Sequence, residues 1–331
     1  MSERKTSCRS IYPHGETTYL TPFQREGKWG YFDLNGEVKI QPVYNEVEYF
    51  SNGLAAVRVF DNWGYINEEG MQIIEPDFSF AGPFRHGRAL VSKNNKYKVI
   101  EETGRTINSI DNEYIVDEPI AWASLHGGVI RIPKDNKTGY INLDGEVLIE
   151  PQYLESGPFV NGLAWVEDVE HHHYYIDISG KKMIEMPTGI IPDTFSEGLA
   201  ALCNSYTLKS SVMDRNGNIV IEETLSNPNY FSEGFSSIMV NGKIAFIDKQ
   251  GNAAFNTNFD EALPFIGGVA LVANNDKWGV MDREGQFLVK NREYEHIDVM
   301  SYLLNSNHFL VREKGDWHYV SRSNGNVIFK L

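Results

Sequence analysis

The chain has 331 residues, of which 41% are hydrophobic and 23% are charged, a composition typical of folded globular proteins and unlike that of disordered ones. Its formal net charge of −15 argues against nucleic acid and anionic membranes as partners, because both bind basic surfaces. The same charge favours a basic protein as partner through electrostatic steering, although solubility alone also accounts for such a charge. No apolar run approaches the roughly 20 residues that are needed to cross a bilayer.

The first 18 residues, Met1–Thr18, are polar and form a leader or cap before the repetitive part of the chain. They lack the apolar stretch of a secretory signal, and Cys8 lacks the one that a lipid-attachment cysteine needs. Cys8 and Cys203 are the only cysteines of the sequence, which fits a reducing compartment. We therefore expect a cytoplasmic protein.

Behind the leader, one short pattern recurs: Asp, Asn or Glu, then two residues, then glycine. Asp or Asn can accept a hydrogen bond from a backbone N–H two residues on, and glycine takes the positive φ that closes a tight turn. Each copy therefore predicts a β-hairpin. The turn glycines follow one another at intervals of 34 to 41 residues: Gly36, Gly70, Gly104, Gly145, Gly180, Gly217, Gly251 and Gly285, with Gly325 one residue late relative to the pattern.

The second copy shows the predicted strands most clearly. We expect an apolar strand at Leu54–Val59, an alternating strand at Trp63–Asn67 and a third strand at Met71–Glu75. A fourth, short strand is expected in the link near Val43–Phe50. The proline of the Ile-x-Pro element, here Pro76, is expected to end strand pairing because it has no N–H to donate.

The same elements recur in a fixed order: Lys-Trp-Gly-Tyr, the turn, Ile-x-Pro, and Phe-x-x-Gly followed by an apolar strand, as at Lys28–Tyr31 and Phe50–Gly53. This order resembles the WG (KWG) repeat family of bacterial β-repeat proteins, and the resemblance extends over residues 19–331. Copies three, five, six and seven have lost the Trp-Gly pair and are assigned from the turn and its flanking strands. The units start near residues 19, 53, 87, 127, 162, 198, 234, 267 and 307.

The resemblance implies an all-β fold of about nine tandem hairpin or meander units of roughly 34 residues. One such unit is too small to bury a stable core, so neighbouring units should pack on each other through aromatic residues such as Trp63 and Phe84. Two architectures meet this requirement: a β-propeller-like toroid and an open β-solenoid. The repeat pattern leaves both open.

A run of three histidines, His171 to His173, is the most conspicuous cluster of candidate metal ligands. Alternation in a strand puts His171 and His173 on one face, whereas a metal needs further ligands, and Glu167, Asp168 and Glu170 are near only in sequence. We interpret the run as solvated hairpin residues. The sequence indicates no metal, cofactor or catalytic residue.

Residues that the repeat does not require are the better candidates for contact with a partner. The long interval between the third and fourth turns places an insertion at 107–126, which is acidic and contains one tryptophan. An aromatic anchor within a polar rim is typical of interface hot spots. The partner-binding candidates are Glu113, Asp117, Glu118, Trp122, Trp165, His171 and His173.

These observations favour a protein–protein interaction scaffold, for example an inhibitor or immunity-type protein, because repeat arrays present long surfaces. The alternative is a β-repeat module that binds a glycan or small ligand. A third hypothesis is an enzyme with a loop-borne site. The sequence contains none of the usual nucleophile, phosphate-loop or zinc-protease motifs, so we expect no enzymatic activity.

Overall fold

A computed structural model describes residues 20–110, 128–298, 302 and 307–331. These residues form 32 β-strands in nine small antiparallel sheets; eight sheets have three or four strands and one has two. No helix in this part of the chain is long and apolar enough to span a membrane. The prediction of an all-β repeat fold is confirmed.

The sheets follow one another along the chain. The strands of the first three sheets are, in sheet 1, β1 (Leu20–Arg25), β2 (Lys28–Asp33) and β3 (Val38–Tyr44); in sheet 2, β4 (Glu46–Val47), β5 (Leu54–Val59), β6 (Asn62–Asn67) and β7 (Gln72–Phe78); and in sheet 3, β8 (Phe80–Ala81), β9 (Arg88–Lys93), β10 (Lys96–Glu101) and β11 (Thr106–Ser109). The next three contain, in sheet 4, β12 (Val129–Lys134), β13 (Lys137–Asn142) and β14 (Val147–Tyr153); in sheet 5, β15 (Glu155–Ser156), β16 (Ala164–Glu167), β17 (His173–Ile176) and β18 (Lys182–Glu185); and in sheet 6, β19 (Ile190–Pro192), β20 (Leu199–Asn204), β21 (Ser210–Asp214) and β22 (Ile219–Leu225). The last three contain, in sheet 7, β23 (Phe235–Val240) and β24 (Lys243–Asp248); in sheet 8, β25 (Glu261–Ala262), β26 (Val269–Asn274), β27 (Lys277–Asp282) and β28 (Phe287–Tyr294); and in sheet 9, β29 (His296–Ile297), β30 (His308–Glu313), β31 (Asp316–Ser321) and β32 (Val327–Lys330).

Each sheet is a simple meander, in which neighbours in sequence are neighbours in space. We name the strands of a four-stranded sheet A to D in chain order, so that sheet 2 runs from A (β4) to D (β7). The predicted strands of the second unit are observed as β5, β6 and β7, and the short link strand as β4. In sheets 1 and 4 the described strands are B, C and D, and in sheet 7 they are B and C.

The prediction that proline ends strand pairing is wrong. Strand β7 continues past Pro76 to Phe78, which pairs with Trp63. Between the pairs Tyr65–Ile74 and Trp63–Phe78, three residues of β7 lie opposite one residue of β6, so the strand bulges at the proline. The residue under the bulge is Gly64, where a Cβ atom would lie 2.5 Å from the carbonyl oxygen of Ile74. The Trp-Gly pair therefore provides the space that the Ile-x-Pro bulge occupies.

The core lies between the sheets. In strand β5, both the inward and the outward sets of the alternation are buried, because sheet 2 is covered on both faces. One buried cluster joins Ala56 and Tyr65 of sheet 2 to Val91 and Ile100 of sheet 3, and each further pair of consecutive sheets shares a cluster of the same kind. This packing is the predicted mutual support of units that are too small to be stable singly.

The last sheet also packs on the first and closes a ring. Their shared cluster consists of Phe23, Phe32, Tyr319 and Phe329. The rings of Phe32 and Phe329 stack with centroids 4.5 Å apart, and the Tyr319 hydroxyl donates a hydrogen bond of 2.8 Å to the carbonyl oxygen of Pro22. Of the two architectures left open by the sequence, the propeller-like toroid is confirmed and the open solenoid is wrong.

The meander places the turns of each sheet on two opposite faces of the ring. Because successive strands are antiparallel, the A–B and C–D turns lie on one face, and the B–C turns and the D–A links lie on the other. The repeat glycines belong to the first face; Gly70, for example, has φ +78° and its Cα faces the Ile40 side chain of the preceding sheet. The second face, called the B–C face below, is less constrained by the repeat.

Candidate functional site

Two neighbouring turns on the B–C face depart from the rest of the ring. In sheets 5 and 6, five residues connect strands B and C, at 168–172 and 205–209. In the other sheets the connection has two residues, at 26–27, 60–61, 94–95, 135–136, 241–242, 275–276 and 314–315. We call the two longer connections the paired hairpins.

The paired hairpins rest on the same link between sheets 5 and 6. The N–H of Met186, at the start of this link, donates to the carbonyl oxygen of His173 at 2.9 Å. At its other end, the carbonyl oxygen of Gly189 accepts the N–H of Ser205 at 2.8 Å, and the Cα of Gly189 is covered by the Tyr206 ring. The two hairpins therefore flank one link and contribute to a shared surface on the B–C face.

The hairpin at 205–209 presents apolar side chains to solvent. Tyr206 is 76% exposed and Leu208 is 71% exposed. Leu208 has a φ of +58°, a left-handed conformation that costs a branched side chain about 1–2 kcal/mol. The Asn204 side chain supports the turn, since its oxygen accepts the N–H of Tyr206 at 2.9 Å and its nitrogen donates to Glu223 at 2.9 Å.

The hairpin at 168–172 is organised by Asp168. One oxygen of its carboxylate, Oδ1, accepts the N–H groups of Glu170 at 3.1 Å and of His172 at 2.9 Å. Val169, between them, is 50% exposed. His171 has a φ of +64°, and its Nδ1 lies 2.6 Å from Oε1 of Glu167. This hairpin adds an apolar side chain and several ionisable groups to the shared surface.

The surroundings of the paired hairpins are acidic. Burial opposes ionisation of Asp168, but the backbone N–H groups of His172 and Glu170 outweigh it and lower the pKa of the carboxyl. Hydrogen bonds from Thr207 and Asn204 lower the pKa of Glu223 as well. Both groups are therefore ionised at neutral pH. Around the hairpins stand two lysines and six carboxylates: Lys182, Lys209, Glu155, Glu167, Asp168, Glu170, Glu185 and Glu223.

The predicted site residues are placed as follows. Glu113, Asp117, Glu118 and Trp122 lie outside the described residues. Trp165 is half-buried between sheets 5 and 6, where its Nε1 donates to Oγ1 of Thr194 at 3.3 Å.

The two histidines predicted to share a strand face both lie near Glu167. His171 is exposed, and Nε2 of the half-buried His173 lies 4.0 Å from Oε2 of Glu167. Burial lowers the pKa of His173, although Glu167 and Asp168 oppose this effect. The third member of the run, His172, turns instead towards Asp168, with its Nδ1 3.5 Å from Oδ2.

The sequence analysis did not select Val169, Tyr206 or Leu208. A signal was present in the spacing between the glycine of Phe-x-x-Gly and the glycine of the following turn. This spacing is 17 residues from Gly53 to Gly70, but 18 from Gly162 to Gly180 and 19 in the next unit. Comparison of these short intervals, and not only of whole repeat lengths, locates the enlarged hairpins.

A family model described as "WG containing repeat" matches residues 29–62, 63–97, 139–168 and 245–278. These four segments of the chain are WG repeats. The match at 139–168 ends at the first residue of the first enlarged hairpin, and no matched segment falls within sheet 6. The paired hairpins thus lie at the edge of a matched segment and in a sheet without a match, as sheet 9 also is. No curated protein matches the chain.

Several solved structures resemble the chain at low sequence identity. A crystal structure of a eukaryotic initiation factor is 11% identical, with 94% of this chain and 95% of that chain covered and a TM-score of 0.59. Hsv2p of Kluyveromyces lactis is 8% identical, with 72% and 92% covered and a TM-score of 0.41. BamB of Moraxella catarrhalis is 11% identical, with 81% and 92% covered and a TM-score of 0.38. The first of these likenesses supports the fold, and the fold alone.

Proposed function

We propose that this WG-repeat ring is a protein-binding scaffold whose contact surface is formed by the paired hairpins. The observation that carries the proposal is the pair of enlarged B–C turns in consecutive sheets, which expose Val169 on one hairpin and Tyr206 and Leu208 on the other. Neighbouring exposed apolar residues with a polar rim are a mark of interaction sites on soluble proteins. Tyrosine at the centre of such a patch is a frequent source of binding energy.

The conformation of Leu208 supports an external role. A left-handed leucine is not required to close a five-residue turn, and a strained residue persists where selection for another property maintains it. Its side chain contributes little to packing within the ring, because the residue is 71% exposed. Contact with a partner would bury this side chain and offset the cost of its backbone conformation.

The acidic rim defines the chemistry of the partner. With six carboxylates and two lysines around the hairpins, and −15 over the whole chain, the surface suits a protein with an apolar pocket bordered by Lys or Arg. Such a complex should weaken as salt rises, because exposed charges are screened beyond about 10 Å at 0.1 M ionic strength.

Binding of a glycan or small ligand is less well supported. That alternative requires exposed aromatic rings at equivalent positions of the repeat. In the described part of the chain the recurring tryptophans Trp29, Trp63, Trp278 and Trp317 are half-buried, and Trp63 and Trp278 pack on the clusters between sheets. Catalysis is likewise not part of the proposal, which assigns the hairpins a binding role only.

The proposal is tested with the full chain immobilised and exposed to a lysate of the source cells. The Tyr206→Ser/Leu208→Ser double variant should lose specifically retained proteins that the wild type captures. Phe60→Ser is the matched control, because Phe60 is 80% exposed on the same face but in a regular two-residue turn. A captured protein is then purified and titrated, and the double variant should bind it at least about tenfold more weakly.

Two results would contradict this function. One is equal retention of the same proteins by the wild type and the double variant while the double variant remains folded. The other is equal loss of binding in Phe60→Ser, which would show that any exposed apolar side chain on this face mediates nonspecific capture.

A further inference from the structure

The hairpin at 168–172 concentrates side chains that bind metal ions. Among the described residues, Asp168, Glu170 and His172 each offer a donor atom, and the three donor atoms all lie within 4.8 Å of one another. Two of these side chains are exposed and the third is partly exposed. The group therefore combines two carboxylates and one imidazole at the tip of one hairpin.

We propose that Asp168, Glu170 and His172 form a binding site for a divalent transition-metal cation such as Zn²⁺. Imidazole nitrogen is a good ligand for zinc, copper and nickel, whereas calcium and magnesium sites are built from oxygen donors. The imidazole of His172 therefore favours the transition metals. Water would complete the coordination because the hairpin tip is open to solvent.

The local geometry prepares Asp168 for this role. Its Oδ1 is engaged by the backbone N–H groups of Glu170 and His172, which fixes the orientation of the carboxylate. The other oxygen, Oδ2, faces Nδ1 of His172 at 3.5 Å. Ligands at about 2.0–2.2 Å from zinc lie roughly 3.5 Å apart, a spacing that Asp168 and His172 already have. The donor atoms all lie within 4.8 Å of one another, so any longer spacing has to close by at most about 1.3 Å. Rotation of the exposed Glu170 and His172 side chains supplies this movement.

A positively charged side chain of the protein, Lys182, already lies near the proposed metal position. The Lys182 side chain runs across the ring of Tyr174, with Nζ 3.8 Å from the ring centroid, and ends 3.9 Å from Oδ2 of Asp168. This ammonium reaches the proposed metal position from a different strand, independently of the turn itself. A bound metal ion would displace it, so Lys182 should weaken metal binding through charge repulsion.

The site is tested by isothermal titration of the full chain, without a histidine tag, with zinc chloride near pH 7.5. We expect one site per chain. His172→Ala and Glu170→Gln should each weaken zinc binding at least about tenfold, since either removes one of three protein ligands. Lys182→Gln should strengthen it, because the competing ammonium is gone. His86→Ala, an exposed histidine on the opposite face, serves as the control and should bind as the wild type does.

Thermal unfolding confirms that each variant is folded before titration. Unchanged zinc affinity in both His172→Ala and Glu170→Gln would overturn the proposal, as would a failure to saturate the wild type at about 1 mM zinc, which corresponds to only about 4 kcal/mol of binding free energy. Loss of binding in His171→Ala but not in His172→Ala would show that the donor set is wrong. The readout is metal binding alone, so its failure leaves the proposed protein-binding function untouched.

Discussion

The B–C turns of sheets 3 and 6 both connect strands B and C, but they differ in length and in residue type. Sheet 3 uses Asn94-Asn95, both with positive φ, in a two-residue turn that matches the twist of its strands, and asparagine tolerates that conformation at low cost. Sheet 6 uses five residues and holds Leu208 at positive φ with its side chain in solvent. Positive φ at a bulky residue is not confined to the paired hairpins, since Phe60 in the two-residue turn of sheet 2 has a φ of +53°; what distinguishes sheet 6 is the enlarged turn that carries Leu208 together with Tyr206.

The largest expected loss of stability comes from a substitution in a regular sheet of the ring. Gly64→Ala would place a Cβ 2.5 Å from the Ile74 carbonyl oxygen and 2.7 Å from the Pro76 nitrogen, so backbone must move. We expect a loss of about 3 kcal/mol in the free energy of unfolding, measured by denaturant titration. Gly53→Ala is the control: it meets no atom within 4 Å and pays only for its φ of +76°, about 1 kcal/mol. Equal losses in the two variants would refute the bulge explanation.

An intermediate effect on stability is expected from a change of pH at the seam between the last and first sheets. Burial lowers the pKa of His308 to about 4, although a hydrogen bond from its ring to the backbone carbonyl of Leu34 opposes the shift, and Nδ1 of this histidine lies 2.9 Å from Oγ1 of Thr21. An unfolded histidine has a pKa near 6.5. Between about pH 6.5 and pH 4 the unfolded chain therefore binds a proton that the folded chain does not, and the free energy of unfolding falls as pH falls.

The contribution of His308 to this pH dependence is isolated with His308→Asn. Because asparagine does not titrate, the difference in unfolding free energy between the wild type and the variant should change across this window and be constant above pH 7. Circular dichroism melts at several pH values measure it. Parallel curves for the two proteins would show that the seam histidine is not linked to stability.

The smallest effect on stability, and the sharpest test of the hairpins, is expected for Leu208→Gly. Glycine removes the strain of positive φ, so stability should stay within about 1 kcal/mol of the wild type or rise. Affinity for the captured partner should nevertheless fall at least about fivefold, because an anchor side chain is lost. Asn95→Gly, at a left-handed position of a regular turn, should change neither property. A marked loss of stability in Leu208→Gly would assign this leucine to the ring.

Much of the fold could be predicted from local chemistry. Asp33 shows why: its Oδ1 accepts the N–H groups of Asn35 and Glu37, and Gly36 has a φ of +82°, so the turn is determined within five residues. The continuation of β7 past Pro76 could not be inferred in this way, because it depends on the space above Gly64 on another strand. Ring closure was equally inaccessible, since it depends on Phe32 meeting Phe329.

The candidate site was predicted only in part. His171 and His173 were selected because a run of histidines is conspicuous in any sequence, and they do lie beside the paired hairpins. Tyr206 and Leu208 were missed because tyrosine and leucine in a strand-rich sequence look like ordinary core residues. Their exposure follows from the length of the turn that carries them, and the approach of the two hairpins follows from the packing of sheets 5 and 6.

Closure of the ring also imposes an order on folding. Eight of the nine sheet interfaces join neighbours along the chain, whereas the ninth joins Pro22 to Tyr319, which are 297 residues apart. Among the described sheet interfaces, bringing such distant segments together carries the highest loop-closure entropy. The sheets should therefore first assemble as an incomplete arc, and the ring should close last. Phe23 and Phe32 stay exposed until this final step buries them. A nascent chain at that stage would display an aromatic edge able to capture the last sheet of another copy.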